Sequence, residues 1–307
     1  MANTLFPDTL IAKPFLKWAG GKTQLIPAIE AVLPPDFSNK QNMTYIEPFI
    51  GSGALMFRFL QKYPNIKTAI INDINSDVTN AYLTIKEQPQ NLVNELQKLQ
   101  AKYNGLGKED DRLEYFLENR ELFNSRSVSI LNSTALLIFL NRTCFNGLYR
   151  VNGKNKFNVP FGRYTNPKIC DAETILADSE VLSRVTILNG DYAETVKYAS
   201  EETFFYFDPP YKPISKTSSF NSYAKEIFDD AEQIRLKIIT DTITEKGNYW
   251  LLSNSDPKNT NPDDNFFDEL YSSPSNYITR VKAKRMINSN SSKRGEINEL
   301  LIYNYNI

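Results

Sequence analysis

Thr203-Phe204-Phe205-Tyr206-Phe207-Asp208-Pro209-Pro210-Tyr211 reads as a strand that runs directly into a carboxylate and a stiff turn. Its apolar residues do not alternate with polar ones, so both faces of the strand are expected to be buried, as in a parallel sheet covered by helices. Four other short β-rich runs repeat the pattern: Thr44–Ile46, Thr68–Ile71, Val185–Leu188 and Tyr249–Leu252, each ending in polar or turn residues. Helix-length segments separate them. An α/β fold with a mostly parallel sheet follows. Two alternating segments, Ile278–Ile287 and Glu299–Asn306, bracket Gly295 and a Ser/Asn cluster and predict an antiparallel pair at one edge of that sheet.

From Tyr82 to Tyr164 the strand rhythm stops. Leu92, Val93, Leu96 and Leu99 recur at helical spacing, as do Leu113, Phe116 and Leu117, and Ser133–Leu140 predicts a buried helix. Phe145–Lys154 and Phe157–Gly162 follow, dense in turn residues and suited to a hairpin or ordered loop. The expected organisation is an α/β domain of residues 1–81 and 165–307, into which a mostly helical domain of residues 82–164 is inserted.

With 307 residues, 41% apolar and 23% charged, the composition is that of a globular protein and excludes disordered, collagen-like and coiled-coil classes. The longest apolar run, Ala135 to Leu140, is too short to span a bilayer, and the N-terminus lacks the layout of a signal peptide. A soluble cytoplasmic protein with no membrane partner is expected. Cys144 and Cys170 form no CxxC pair, and histidine is absent. Imidazole relays and His-based zinc sites are thereby removed, no metal is expected, and chemistry must rest on carboxylates, amides, lysines and backbone groups. The 35 basic residues nearly balance 36 acidic ones, yet Asn141–Lys168 holds six basic residues and no acidic one, as does Tyr277–Gly295. Two positive stripes on an acidic body suit nucleic acid.

Phe49-Ile50-Gly51-Ser52-Gly53 follows a predicted strand and precedes a helix-like run, so its glycines let the backbone approach a ligand. A dinucleotide fingerprint needs a third glycine where Met56 stands, which disfavours pyrophosphate and leaves a nucleoside-containing ligand. Asp73, at the end of the next strand, is placed to accept ribose hydroxyls. Lys17-Trp18-Ala19-Gly20-Gly21-Lys22-Thr23 fails as a P-loop because Leu16 stands where glycine is required. It reads instead as a glycine turn presenting Trp18 and Lys22 to an adenosyl or carboxylate group. Asp208-Pro209-Pro210-Tyr211 suits the methylation of an exocyclic amine. The lone pair of such a nitrogen is delocalised into its ring; the Asp208 carboxylate and the Pro209 carbonyl can accept its two N–H bonds and aim the lone pair at a methyl donor. Pro209 and Pro210 stiffen the turn, and Tyr211 offers a stacking face.

These residues taken together closely resemble the Dam-type (alpha group) site-specific DNA adenine-N6 methyltransferases. The likeness runs through Phe15 to Lys22, Glu47 to Gly53, Asn72 to Asn75, Phe145 to Tyr164, Asp208 to Tyr211, and Arg294-Gly295 with Glu299 to Leu301. The resemblance implies a Rossmann-like methyltransferase fold and S-adenosylmethionine as methyl donor, contacted near Trp18, Lys22, Phe49, Gly51, Gly53, Asp73, Asp191 and Asp208. It implies double-stranded DNA as partner, a flipped adenine in the Asp208–Tyr211 pocket, and a target-recognition role for residues 82–164 at a GATC or GAT-containing site. By that analogy Arg150 and Lys17 meet guanine edges, Leu148 and Pro160 a thymine methyl, and Phe145 wedges into the stack. Lys293 and Arg294 are read as phosphate contacts. These roles match the side-chain chemistry. A monomer in a bacterial or phage-like, nucleoid-associated setting is expected, with pairing to a restriction endonuclease left open. The alternatives are an RNA or protein methyltransferase of the same fold, a DNA-translocating P-loop ATPase, and a DNA-binding protein without catalysis.

Overall fold

In chain order the elements are α1 (Ile26–Ala31), β1 (Met43–Glu47), α2 (Ala54–Lys62), β2 (Ile66–Asp73), α3 (Ser76–Glu87), α4 (Pro89–Gly105), α5 (Glu109–Ser125), α6 (Ile130–Thr143), α7 (Ala172–Leu182), β3 (Val185–Asn189), β4 (Thr203–Phe207), α8 (Asp230–Glu245), β5 (Tyr249–Ser255), α9 (Phe266–Leu270), β6 (Tyr277–Lys284) and β7 (Glu296–Tyr303). This computed structural model describes residues 12–18, 24–212, 228–284 and 296–307. Lys22, Lys293, Arg294 and the predicted strand end at 285–287 lie outside the described residues. Two units emerge, one of residues 1–18, 52–64 and 80–184, the other of residues 19–51, 65–79 and 185–307.

The second unit holds a seven-stranded sheet of order β3-β2-β1-β4-β5-β7-β6. Strands β1 to β5 pair in parallel. Strand β7 runs antiparallel to both β5 and β6, so the closing pair occupies one edge as expected. All five apolar runs are strands. Strands β1 and β4 are buried along their whole length, which is why neither shows alternation in sequence. On one face Ile46, Phe205, Phe207, Trp250, Leu252, Leu300 and Ile302 pack with Leu236 and Ile243 of α8 and Phe267 of α9. Each such side chain contributes roughly 1.5–3 kcal/mol of burial, and the Trp250 Nε1–H is satisfied by the Thr244 hydroxyl at 2.8 Å. Helix α8 starts at Asp229, whose carboxylate accepts the Glu232 N–H, and carries Asp230 and Glu232 in its first turn, where the helix dipole favours negative charge. Between β1 and β4 the strand order reverses, and ligands of open α/β sheets bind at the carboxyl ends of strands beside such a switch.

The first unit is helical. Helix α6 is buried from Thr134 to Asn141, because Ala135–Leu140 is apolar all round, and Ser129 caps it by accepting the Asn132 N–H. Helix α4 opens on Pro89 and buries Leu92, Val93, Leu96 and Tyr103. Helix α5 departs from its predicted face: Leu113 and Leu117 are 36% exposed, while Arg112, Tyr115, Phe116, Asn119 and Phe123 face inward. The amphipathic signal misleads there because the buried stripe contains Arg112 and Asn119, whose Nη1 and Nδ2 donate locally to the Leu106 and Tyr115 carbonyls. No helix among the described residues is long and apolar enough to cross a membrane.

Candidate active site

The carboxyl ends of β1, β2, β3 and β4 carry the sheet unit's described site residues. After β1 the chain turns through Gly51 at φ 45° and Gly53 at φ 68°, left-handed conformations that glycine adopts without strain. The Gly51 N–H donates to Asp73 Oδ2 at 3.1 Å and the Asn75 N–H to Oδ1 at 2.9 Å. Asp73 is thus fixed by two backbone donors at the end of β2. Burial pushes its pKa up, and the two N–H bonds pull it down. Asn72, which opens the Asn72–Asn75 stretch of the resemblance without a role of its own, ties the neighbouring turns together by donating to the Pro48 and Gly190 carbonyls. Phe49 lies half-buried against Tyr192, Phe207 and Phe228, with ring centroids 4.9, 6.5 and 5.7 Å away. Asp191 caps the following turn through the Ala193 N–H and is gripped by Arg235 Nη2 at 2.8 Å.

Asp208 ends β4. Ser253 of β5, fully buried, donates its hydroxyl to Asp208 Oδ1 at 3.0 Å, and the Tyr206 hydroxyl lies 3.0 Å from the Ser253 oxygen. Pro209 is buried and Pro210 exposed. Tyr211 donates its hydroxyl to Glu299 Oε2 at 2.7 Å, which anchors the ring expected to stack on a base. Lys212 closes the turn, with its ammonium 2.8 Å from Asp230 and 3.6 Å from the Phe266 ring centre. The Glu299–Leu301 stretch carries part of the resemblance but gives Glu299 no role, and Ser253 belongs to no motif; both come from strands far along the chain.

Trp18, Lys17 and the predicted reading loop belong to the helical unit. The loop is ordered, with isolated bridges Cys144–Phe161 and Val151–Phe157 rather than a long hairpin. Phe145 is 53% exposed, its N–H donating to the carbonyl of exposed Pro160. Leu148 is partly exposed. Two buried asparagines hold the loop. Asn124 accepts the Phe157 N–H at 2.7 Å and donates to the Phe157 carbonyl at 3.1 Å. Asn141 accepts the Lys17 N–H at 2.8 Å and donates to the Lys17 and Gly147 carbonyls at 2.9 and 2.8 Å. Trp18 stacks on Tyr149, with centroids 5.7 Å apart and planes 14° from parallel.

Arg150 Nε donates to Asn158 Oδ1 at 2.7 Å and its Nη2 to the Asn158 carbonyl at 3.2 Å. This partner is neutral and leaves the charge of Arg150 uncancelled. The positive stripes are thinner than their sequence. Arg142 turns inward to the Phe15 carbonyl, and burial lowers its pKa. Arg163 pairs with Glu109, Lys168 with Asp171, and Arg280 with Asp256 and Asp268. Lys154 and Lys156 stay exposed beside the reading loop.

Comparison with known proteins gives the family. Residues 18–287 match the model of the D12 class N6 adenine-specific DNA methyltransferase. The chain is 46% identical to the type II methyltransferase M.MjaIII of Methanocaldococcus jannaschii, over 95% of this chain and 99% of that one. It is 38% identical to the type II methyltransferase M1.LlaDCHI of Lactococcus lactis subsp. cremoris, over 99% of each. With the DNA adenine methylase of Escherichia coli (strain K12) it shares 31% identity over 94% of each. Agreement of this extent, reaching from Trp18 beyond the turn at Asp208–Tyr211, means that the chain belongs to the D12 class N6 adenine-specific DNA methyltransferase family.

Proposed function

We propose that the enzyme methylates the adenine of a GATC or GAT-containing site in duplex DNA, once that adenine has been flipped out of the stack toward Asp208. The observation that carries this reading is the carboxylate of Asp208 on a Pro-Pro turn, its Oδ1 oriented by Ser253, at the switch point of the sheet. In this reading Asp208 accepts one N6–H of the adenine and the Pro209 carbonyl the other. The nitrogen then loses conjugation and its lone pair becomes nucleophilic. Proline at 209 and 210 adds no N–H donor to compete for either acceptor. The Tyr211 ring, held by Glu299, receives the base face.

Membership of a methyltransferase family implies S-adenosylmethionine as methyl donor, which when bound supplies an electrophilic sulfonium methyl group. The residues at the ends of β1 and β2 fit such a ligand: a half-buried aromatic face at Phe49, a left-handed Gly51 without a side chain, and a partly buried Asp73 carboxylate already aligned by two backbone N–H groups. Trp18, Lys22, Gly53, Asp191 and Asp208 complete the proposed set.

Residues 82–164 are proposed as the target-recognition domain, acting on DNA as part of a monomer. Arg150 and Lys17 would meet guanines, Leu148 and Pro160 a thymine methyl, and Phe145 would fill the space vacated by the flipped base. The exposure of Phe145, Pro160 and Lys17 supports these roles. Lys293 and Arg294 are proposed to meet phosphates. The names of the archaeal and lactococcal relatives support a partnership with a restriction endonuclease. Mapping methylated adenines in plasmid DNA from a methylation-deficient host expressing the chain tests the reading. GATC, or a longer site containing GAT, is expected; methylation confined to a site without GAT would overturn the site assignment.

A further inference from the structure

We infer that Asn141 is a specificity-determining positioning residue, whose side-chain amide sets the register between Lys17 and the loop carrying Leu148 and Arg150. The inference rests on the proposed reading of bases by Lys17 and Arg150. Asn141 is fully buried at the end of α6 and uses both ends of its amide: the oxygen accepts from the Lys17 N–H, and the nitrogen donates to the Lys17 and Gly147 carbonyls. Two segments distant in sequence are joined through one planar group. Of the side chains of this size, only an uncharged amide offers a donor and an acceptor in that arrangement; aspartate would lose both donated bonds and bury a charge.

Two further contacts keep the same register. Gly147 sits at φ 63°, and a Cβ there would lie 2.3 Å from Lys17 Cδ and 2.8 Å from its Cβ, so the lysine stem lies directly across the glycine. The Trp18–Tyr149 stack joins the residue after Lys17 to the one two beyond Gly147. Lys17 and Arg150 therefore reach DNA as one rigid fork, and a small slip between segments misplaces both contacts. Bidentate base contacts tolerate little misplacement, and each good one discriminates by about tenfold to over a hundredfold.

The test compares kcat/KM on the preferred duplex (GATC, or the site mapped from plasmid DNA if that differs) with duplexes substituted at one base pair. Variants Asn141→Ala, Gly147→Ala, Lys17→Ala, Arg150→Ala and the Asn141→Ala/Lys17→Ala pair are checked for folding by circular dichroism. Asn141→Ala should lower the ratio of preferred to substituted rates by about tenfold at the guanine positions, chiefly through the preferred duplex. In the Lys17→Ala background its further effect should shrink, because the two changes then act on one contact. Gly147→Ala displaces the lysine stem while leaving Asn141 in place, and should reproduce the loss if Asn141→Ala does not fold. Uniform losses on every duplex, or an unchanged ratio in folded Asn141→Ala or, failing that, Gly147→Ala, would overturn the inference. If Lys17→Ala and Arg150→Ala leave the ratio unchanged while Asn141→Ala lowers it, the base contacts are misassigned and the clamp stands.

Discussion

Replacing Asp178 with asparagine should make the enzyme more stable, by an amount that grows with pH. Asp178 of α7 is fully buried; its Oδ1 accepts the Lys13 N–H at 3.0 Å, while Oδ2 has no hydrogen-bond partner among the described residues. Burial pushes its pKa up to about 8, outweighing the Lys13 N–H bond and helped by the charge of Asp171. The folded carboxyl therefore keeps its proton to about pH 8, whereas in the unfolded chain it ionises near pH 4. Its contribution is fully present below the unfolded pKa and is lost as pH rises toward the folded one, at about 1.4 kcal/mol per pH unit. Asparagine has the shape of the protonated acid, retains the acceptor for Lys13 and cannot ionise. Between pH 5 and 7 the stability of Asp178→Asn relative to wild type should rise by roughly 2–3 kcal/mol, groups common to both proteins cancelling. Urea unfolding at pH 5, 6 and 7 reads this directly. Parallel curves would show that Asp178 is ionised in the folded protein and that the unpartnered oxygen is reached by water.

Other outcomes follow from the site. Asp208→Ala should lower turnover roughly a hundred- to thousandfold while filter-binding affinity for DNA changes little; near-normal turnover would remove the amine-orienting role. Ser253→Ala deletes a hydrogen bond to the Asp208 carboxylate, worth about 1.5–3 kcal/mol, so kcat should fall about ten- to a hundredfold with DNA KM nearly constant; a change confined to KM would count against it. Arg150→Ala should lose activity on the cognate duplex far more than on the one altered at the guanine it reads, whereas equal losses would make it a phosphate contact. Lys154→Ala and Lys156→Ala should each reduce the slope of log affinity against log salt by about one unit, without altering discrimination; an unchanged slope would place them on a solvated face.

The strands were legible because sheets buried on both faces write uninterrupted apolar runs, and each of the five runs became a strand. Asp73, Gly51 and Asp208 were legible for a related reason: each stands where such a run stops, and strand ends are where an open sheet presents chemistry. Less was written about what steadies them. Ser253 and Glu299 reach Asp208 and Tyr211 across strand pairings that only the folded register creates. Helix α5 hid its inward face because arginine and asparagine occupy it. Arg142 stood in a basic run yet turned inward, since position on α6 rather than local composition decides exposure.

The asparagines that hold the loop of residues 145–162 grip peptide groups. Asn124 bonds the amide and carbonyl of Phe157, and Asn141 those of Lys17 together with the carbonyl of Gly147. Peptide groups are common to every amino acid, so these anchors do not depend on which side chains stand at Leu148 or Pro160. If Leu148 and Pro160 meet bases as proposed, exchanging them would leave both backbone anchors in place.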